Sequence, residues 1–209
     1  MKIILEQIGK KFEKEWIFKK VDLTIEAGSK WLIAGNNGSG KSTFLQLISG
    51  KIKPSKGIIQ YFVQDGFVPI EKCYQHISIA SPSLELIEVL TLEEMIQTHF
   101  QFNQLIDEVK SIKNIPEMLQ LAGQEHKRID NFSSGMKQRV KLGLAVLSKN
   151  ELLLLDEPLS NLDENGIEWY KQFIPQYATN KTILVASNNQ PDEYFFCNNT
   201  LNIINYKGN

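Results

Sequence analysis

Short apolar segments divide both ends of the chain into predicted β-strands. Apolar and polar residues alternate near the N-terminus, which is typical of strands with one buried face. Later segments are continuously apolar, which is typical of strands buried on both faces of a parallel sheet. The predicted strands cover residues 2–6, 21–25, 30–34, 58–63, 76–80, 152–155 and 182–186.

The middle of the chain has a different apolar spacing. Apolar residues recur every three or four positions, which predicts helices over residues 92–99 and 105–112. Thr91 and Glu94 stand three positions apart and predict a capping box at the start of the first helix. Strands return after about residue 150. The pattern therefore predicts an α/β fold in which a parallel sheet carries a helical insertion.

Residues 35–42 carry the most specific motif, a match to the phosphate-loop pattern G-x-x-x-x-G-K-S/T. Glycines let successive backbone N–H groups point at an anion, and the following helix adds its positive N-terminal end. A predicted strand before the motif and a helix over residues 42–49 after it argue against a chance glycine-rich turn. The predicted phosphate-binding residues are Gly35, Asn36, Asn37, Gly38, Ser39, Gly40, Lys41, Ser42 and Thr43.

Two carboxylates end the apolar segment 152–155 and supply a second half of the predicted site. Ligands of parallel sheets bind at the carboxyl ends of the strands, where Asp156 and Glu157 lie. Asp156, together with the hydroxyl of Ser42, is predicted to bind Mg²⁺. Glu157 is predicted to polarise an attacking water. A solvated acidic strand end is the alternative, and the phosphate loop upstream favours the site.

Composition restricts the possible function classes. The 209 residues are 42% hydrophobic, enough for one domain with a sizeable core. A formal net charge of −1 gives no electrostatic reason to expect a nucleic acid partner. Cys73 and Cys197 are far apart and are expected to be reduced thiols of a cytosolic protein. No segment has the length of a membrane span or the pattern of a signal peptide, so any membrane-spanning partner is expected to be another chain.

With these motifs in this order, the chain resembles the nucleotide-binding subunit of ABC transporters over nearly its whole length. Residues 131–140 resemble the family signature, whose usual form is Leu-Ser-Gly-Gly-Gln. Ser133 and Gly135 are kept, whereas the first, third and fifth positions differ. Alone, this string would indicate an N-capped amphipathic helix, but its place before the acidic strand favours the signature. A hydroxyl and free N–H groups at a helix start form an anion site, which the resemblance assigns to Ser133, Ser134 and Gly135.

The resemblance implies a P-loop NTPase core with a parallel sheet, N-terminal antiparallel strands and a helical subdomain. It implies a single ABC ATPase domain over residues 1–209, with the core at 1–80 and 150–209 and the helical subdomain at about 83–149. The implied function is to bind and hydrolyse ATP with Mg²⁺ and to power transport by ATP-driven dimerisation. The implied partners are transmembrane permease subunits, docked around residues 81–94, and a second ATP-binding subunit in a homo- or heterodimer. The implied location is cytoplasmic, on the inner face of the cell membrane.

Two further residue roles carry over from the family. Phe12 is where these proteins place an aromatic ring that stacks on adenine. The alternative is packing of Phe12 against Trp16 or Phe18. Residues 160–163 match the segment that contacts the partner subunit, although Asp163 is also a candidate helix cap.

The family's usual glutamine after the strand before the helical block is missing. Ser81 or Pro82 stands at that position, and Gln64 is interpreted as a decoy because it follows Lys41 too soon.

A second departure concerns the histidine that normally faces the γ-phosphate. Asn188 stands there and donates only a neutral hydrogen bond, so hydrolysis is expected to be slower. The chain's histidines, His76, His99 and His126, are not expected to replace it. The predicted catalytic residues are Glu157, Lys41 and Asn188.

Three alternative functions stay open. The first is a non-transport ABC protein acting as an ATP-gated clamp on ribosomes or DNA, although such proteins usually carry two cassettes or a long coiled coil. The second is a P-loop kinase of small molecules, which the signature helix argues against. The third is a subunit that binds ATP without hydrolysing it.

Overall fold

The structure is a computed structural model that describes residues 1–207. The strands are β1 Lys2–Phe12, β2 Glu15–Ile25, β3 Lys30–Ala34, β4 Lys56–Val63, β5 Gly66–Val68, β6 Ile77–Ala80, β7 Leu152–Asp156, β8 Thr182–Ser187 and β9 Asn199–Asn202. The α-helices are α1 Lys41–Ile48, α2 Leu92–Phe102, α3 Ile115–Met118, α4 Ser134–Leu147, α5 Glu164–Tyr177 and α6 Pro191–Tyr194. Short 3-10 helices cover Ile70–His76, Ile112–Asn114, Ile129–Asn131 and Ile203–Tyr206.

The chain divides into two compact units. The first contains Met1–Ile77, Glu151–Glu157 and residues 180–207, and the second contains Ser78–Asn150 and Pro158–Thr179. The expected core included residues 158–179, whereas the structure groups them with the helical unit.

Contacts of α5 account for that grouping. The indole N–H of Trp169 donates to the Met118 carbonyl oxygen at 2.9 Å. This bond ties α5 to α3 within the second unit.

The first unit contains an antiparallel sheet in the order β2-β1-β4-β5. Strands β1 and β2 are 11 residues each, longer than predicted, because they pair as a hairpin from Ile3↔Ile25 to Phe12↔Glu15. Along β1, Ile3, Leu5 and Ile8 are buried. Their burial fits the apolar and polar alternation that predicted the strand.

The same unit contains the parallel strands in the order β7-β8-β3-β9. Leu152, Leu153, Leu154 and Leu155 are fully buried, as the continuous apolar pattern predicted. The parallel register aligns Asp156 with Ala186 and Ala34 with Ser187. The carboxyl ends of β3, β7 and β8 therefore meet at one edge of the sheet, where the sequence predicted the site.

The second unit is mainly helical. The predicted capping box is confirmed: Glu94 N–H donates to the Thr91 hydroxyl oxygen at 3.3 Å, and Thr91 N–H donates to Glu94 Oε2 at 2.8 Å.

The predicted helix over residues 105–112 is wrong. Ile106 N–H instead donates to the Leu147 carbonyl at 3.0 Å, and Lys149 N–H donates to Gln104 at 2.7 Å. The segment therefore pairs with the end of α4. Its apolar spacing reflects burial of Ile106 and Val109, not helical geometry.

Candidate active site

The phosphate loop joins β3 to α1, and its shape depends on glycine. Gly38 and Gly40 have φ values of 74° and 100°, in the left-handed region that L side chains rarely adopt. A Cβ atom at Gly40 would also collide with the Ile17 side chain. Gly40 is the N-cap of α1, so the helix N-terminus with its free N–H groups opens onto this loop.

Ser39 is an unsatisfied polar group inside the loop. Its side chain is 7% exposed, and its hydroxyl oxygen has no hydrogen-bond partner among residues 1–207. Buried hydroxyl groups in proteins are almost always paired, and a ligand in the loop would supply a partner for this one. This observation fits the phosphate-binding role predicted for the motif.

Lys41 is held across the loop by three acceptors. Its ammonium donates to the carbonyl oxygens of Gly35 at 2.9 Å and Asn36 at 3.1 Å, and to Asn188 Oδ1. The side chain is 5% exposed. Burial lowers the pKa of Lys41, while the carboxylates of Glu157 and Asp156 oppose that shift. A cation in this position is suited to exchange its carbonyl partners for phosphate oxygens.

The two residues predicted to bind Mg²⁺ are in contact. The Ser42 hydroxyl donates to Asp156 Oδ1 at 3.0 Å, although 114 residues separate them in the chain. Burial raises the pKa of Asp156, and the hydrogen bond from Ser42 opposes that shift. Hydroxyl and carboxylate oxygens suit Mg²⁺, which takes few protein ligands and completes its shell with phosphate and water. The residues present therefore fit the ion.

Asn188 links the two groups predicted to act on the γ-phosphate. Its Oδ1 accepts from the Lys41 ammonium, and its Nδ2 donates to Glu157 Oε1. Glu157 itself has a φ of 45°, and its N–H donates to the Ala186 carbonyl at 2.9 Å. A non-glycine residue in this backbone region is uncommon and is often found at active sites. The sequence predicted each of these residues as catalytic, but it did not predict the hydrogen bonds that join Lys41 to Asn188 and Asn188 to Glu157.

The signature segment begins α4 in the second unit. Ser133 is the N-cap, and its hydroxyl oxygen accepts from Met136 N–H at 3.2 Å. Ser133 and Ser134 are exposed. They line a cleft of about 640 Å³ together with Lys127, Arg139 and Asn161, among others. The structure therefore places the predicted anion-binding residues on an accessible surface.

Sequence reasoning missed Arg139 as part of this cleft. Its guanidinium donates to Gln120 Oε1 at 2.5 Å, lies 3.7 Å from Asp163 Oδ1 and faces the Trp169 ring at 5.5 Å. Asp163 caps α5 by accepting from Gly166 N–H at 2.8 Å, as its alternative role predicted. The one sequence feature that could have pointed to Arg139 is that the chain has only two arginines.

Phe12 is 48% exposed, and the Lys10 ammonium lies 4.9 Å from its ring centroid. The ring remains accessible for stacking on a planar ligand.

Gln64 lies in the turn between β4 and β5, with a φ of 48°, which agrees with its interpretation as a decoy. His76 binds Glu151 at 2.9 Å, next to the amino end of β7 and opposite to the site. His99 binds Ser148 at 2.8 Å, and His126 lies 3.6 Å from Glu93. The three histidines therefore contact partners outside the phosphate loop and do not replace the missing family histidine.

Comparisons with known proteins match this chain to proteins of the kind that the motifs resemble. A family profile described as ABC transporter matches residues 18–160. The Fe(3+) ions import ATP-binding protein FbpC 1 of Haemophilus influenzae is 34% identical over 167 residues, which are 78% of this chain and 50% of that protein. An uncharacterized ABC transporter ATP-binding protein of Bacillus subtilis, YybJ, is 28% identical over 91% of this chain and 87% of its own length. The chain thus spans about half the length of the iron-import relatives it matches.

Solved structures with low sequence identity share the fold. A putative ABC transporter ATP-binding protein from Pyrococcus furiosus has a TM-score of 0.82 at 22% identity, with all of both chains covered. No helix within residues 1–207 combines the length and the apolar character needed to cross a bilayer.

Proposed function

The chain belongs to the ABC transporter family, and on that premise we propose that it is the subunit that binds and hydrolyses ATP for a transporter. One observation carries the proposal. At the carboxyl ends of the parallel strands, two hydrogen-bonded sets converge: Ser42 with Asp156, and Lys41 with Asn188 and Glu157. Together they supply a cation that binds phosphate, ligands for magnesium and a general base, as ATP hydrolysis requires.

Binding of ATP uses the loop and the exposed aromatic ring. The backbone N–H groups of residues 35–42 and the N-terminus of α1 hold the β- and γ-phosphates, and Lys41 adds a point charge. The orphan hydroxyl of Ser39 gains a partner when the loop is filled. Phe12 stacks on the adenine, a contact that contributes about 1 kcal/mol.

Hydrolysis places a water between Glu157 and the γ-phosphate. Glu157 accepts the proton as the water oxygen attacks phosphorus, and the bond from the γ-phosphorus to the bridging oxygen of ADP breaks. Ser42 and Asp156 would hold Mg²⁺, which would neutralise negative charge on the phosphates. Asn188 orients Glu157 and Lys41 through its two hydrogen bonds.

A second protomer completes the site in this proposal. Ser133, Ser134 and Gly135 start a helix on an accessible surface and suit the γ-phosphate held by the partner's loop. Asn161 and Asp163, beside them in the same cleft, suit contact with that partner. ATP then joins two protomers, homo- or heterotypic, and hydrolysis releases them.

The proposed transport partner is a membrane-spanning permease. Leu84, Ile87 and Val89 are exposed apolar side chains within the predicted docking segment, residues 81–94. Exposed apolar groups close together mark surfaces that bind partners. The proposed location is therefore the cytoplasmic face of the membrane, in association with the permease.

The substitution Glu157→Gln tests the proposal, because it removes the general base and keeps the side chain's shape. We expect ATP turnover to fall about 100-fold or more, with ATP binding retained and ATP-dependent dimers accumulating in size-exclusion chromatography. Glu151→Gln is the matched control, since Glu151 precedes the opposite end of the same strand. Unchanged phosphate release in the Glu157 variant would remove the assignment.

A second candidate function is an ATP-gated clamp that hydrolyses slowly. The neutral amide of Asn188 favours it, because a histidine would add a charge-assisted hydrogen bond. A pull-down from detergent-solubilised membranes separates the two functions. A co-purifying polytopic membrane protein supports transport, whereas ribosomes or DNA support the clamp.

A further inference from the structure

A second concave site lies on the antiparallel sheet of the first unit. It has a volume of about 290 Å³, and its lining includes Trp16, Lys19, Lys20, Lys56 and Gly9. These five residues are called the lysine pocket below. They come from β1, β2 and β4, so the pocket is built on paired strands.

An aromatic wall bounds the lysine pocket. The Trp16 ring packs on Gly9 so closely that a Cβ atom there would lie 2.9 Å from ring atom Cζ3. The ammonium groups of Lys11 and Lys19 lie 5.6 and 5.5 Å from the ring centroid. Trp16 therefore offers a half-buried aromatic surface with two lysine ammonium groups over its ring.

Charge is distributed unevenly along the chain, and the N-terminal part that contains this sheet is rich in lysine. The first 57 residues contain eleven lysines and five acidic residues, a net charge of +6, whereas the whole chain carries −1. Within residues 1–207, Lys20 and Lys56 form no ion pair. The nearby carboxylate of Asp22 accepts hydrogen bonds from Gln7, a further lining residue.

The lysine pocket is separate from the proposed ATP site. None of its residues belongs to the phosphate loop, and Phe12 is not part of its lining. The neighbouring side chain of Ile17 instead contacts the loop at Gly40. A ligand in the lysine pocket would thus leave the catalytic residues free.

We propose that the lysine pocket binds a small phosphorylated ligand with a flat ring, of the mononucleotide class. The ring would stack on Trp16, and the phosphate would lie beside Lys20 and Lys56. Aromatic side chains bind bases through their faces without a sequence requirement, and lysine ammonium groups bind phosphate as point charges. The small volume of about 290 Å³ favours a small molecule over a membrane surface or a nucleic acid strand.

Calorimetric titration with adenosine monophosphate, without Mg²⁺, tests the proposal in the full chain. The substitution Lys41→Ala is introduced first, so that the phosphate loop does not bind the probe. We expect one saturable site with a Kd below about 1 mM, and quenching of tryptophan fluorescence. Lys20→Gln and Lys56→Gln should each weaken binding about fivefold or more. Lys72→Gln is the matched control, because it removes one exposed charge outside the pocket.

Three results would overturn the proposal. The first is no saturable binding up to about 5 mM probe. The second is equal weakening by the Lys72 control, which would indicate a general charge effect. The third is tighter binding of a single-stranded oligonucleotide, or of vesicles containing anionic lipid, that depends on Lys20 while adenosine monophosphate does not bind. Circular dichroism of each variant excludes loss of the fold as the cause of weaker binding. Trp16→Phe should still bind the probe, but more weakly than the protein with Trp16, because a smaller aromatic ring remains.

Discussion

Replacement of Asn188 by alanine is the most direct test of how the active site is organised. The amide accepts from the Lys41 ammonium and donates to the Glu157 carboxylate, so one side chain connects a buried cation with the proposed general base. Alanine removes both bonds at once. Lys41 keeps its two carbonyl acceptors, whereas Glu157 loses the partner that orients it.

The size of the effect follows from these contacts. A hydrogen bond to a charged group contributes about 1.5–3 kcal/mol. We expect the bond to Glu157 to account for most of the loss in turnover, because Lys41 remains held by Gly35 and Asn36. A loss of this size at the transition state corresponds to about 10- to 100-fold in kcat.

Substitution by histidine tests the same reasoning in the opposite direction. A protonated imidazole cannot accept from Lys41, which keeps its carbonyl acceptors Gly35 and Asn36. It donates to Glu157 as a cation, which strengthens that bond by about 1 kcal/mol, or about fivefold in kcat. The gain in Asn188→His should grow as pH falls through about 6.5, where histidine becomes charged. The wild-type protein should not show that pH dependence.

The assay is steady-state phosphate release at saturating ATP and Mg²⁺, with thermal melting to confirm that each variant is folded. Gln97→Ala is the control, because it removes an exposed amide from α2 in the other unit. A folded Asn188→Ala variant that keeps kcat within about twofold of the wild type would refute this role of Asn188. A histidine variant with the rate of the alanine variant at every pH would refute it as well.

Two further predictions concern titratable groups. Asp156→Asn should raise the Mg²⁺ concentration needed for half-maximal hydrolysis about tenfold or more, measured by metal titration of activity. It should also raise the melting temperature at neutral pH, since burial raises the pKa of Asp156 and the folded state therefore disfavours the carboxylate. Burial lowers the pKa of His99 below 6.5, so the unfolded chain binds a proton more readily. The free energy of unfolding should accordingly fall as pH drops below 6.5, by at most about 1.4 kcal/mol per pH unit. Denaturant melts at several pH values should show a weaker dependence of that free energy on pH in His99→Gln than in the wild type.

The strongest agreement between sequence and structure concerns short motifs. The phosphate loop, the buried strand ending at Asp156 and the capping box of Thr91 and Glu94 lie where they were predicted. Each depends on spacing within about ten residues, because backbone geometry alone sets which groups meet there. The helix over residues 105–112 was wrong, since its apolar residues pack against the distant end of α4.

The sequence by itself determined that this protein has a phosphate-loop motif, an acidic strand end and a helix start capped by serine. Glycine conformation, strand burial and helix capping are local properties, so a linear pattern carries them. Only the tertiary structure decided that Asn188 joins Lys41 to Glu157, and that lysines of two strands line one pocket with Trp16. These contacts join residues far apart in the chain, and the register of paired strands, which no short motif encodes, brings them together.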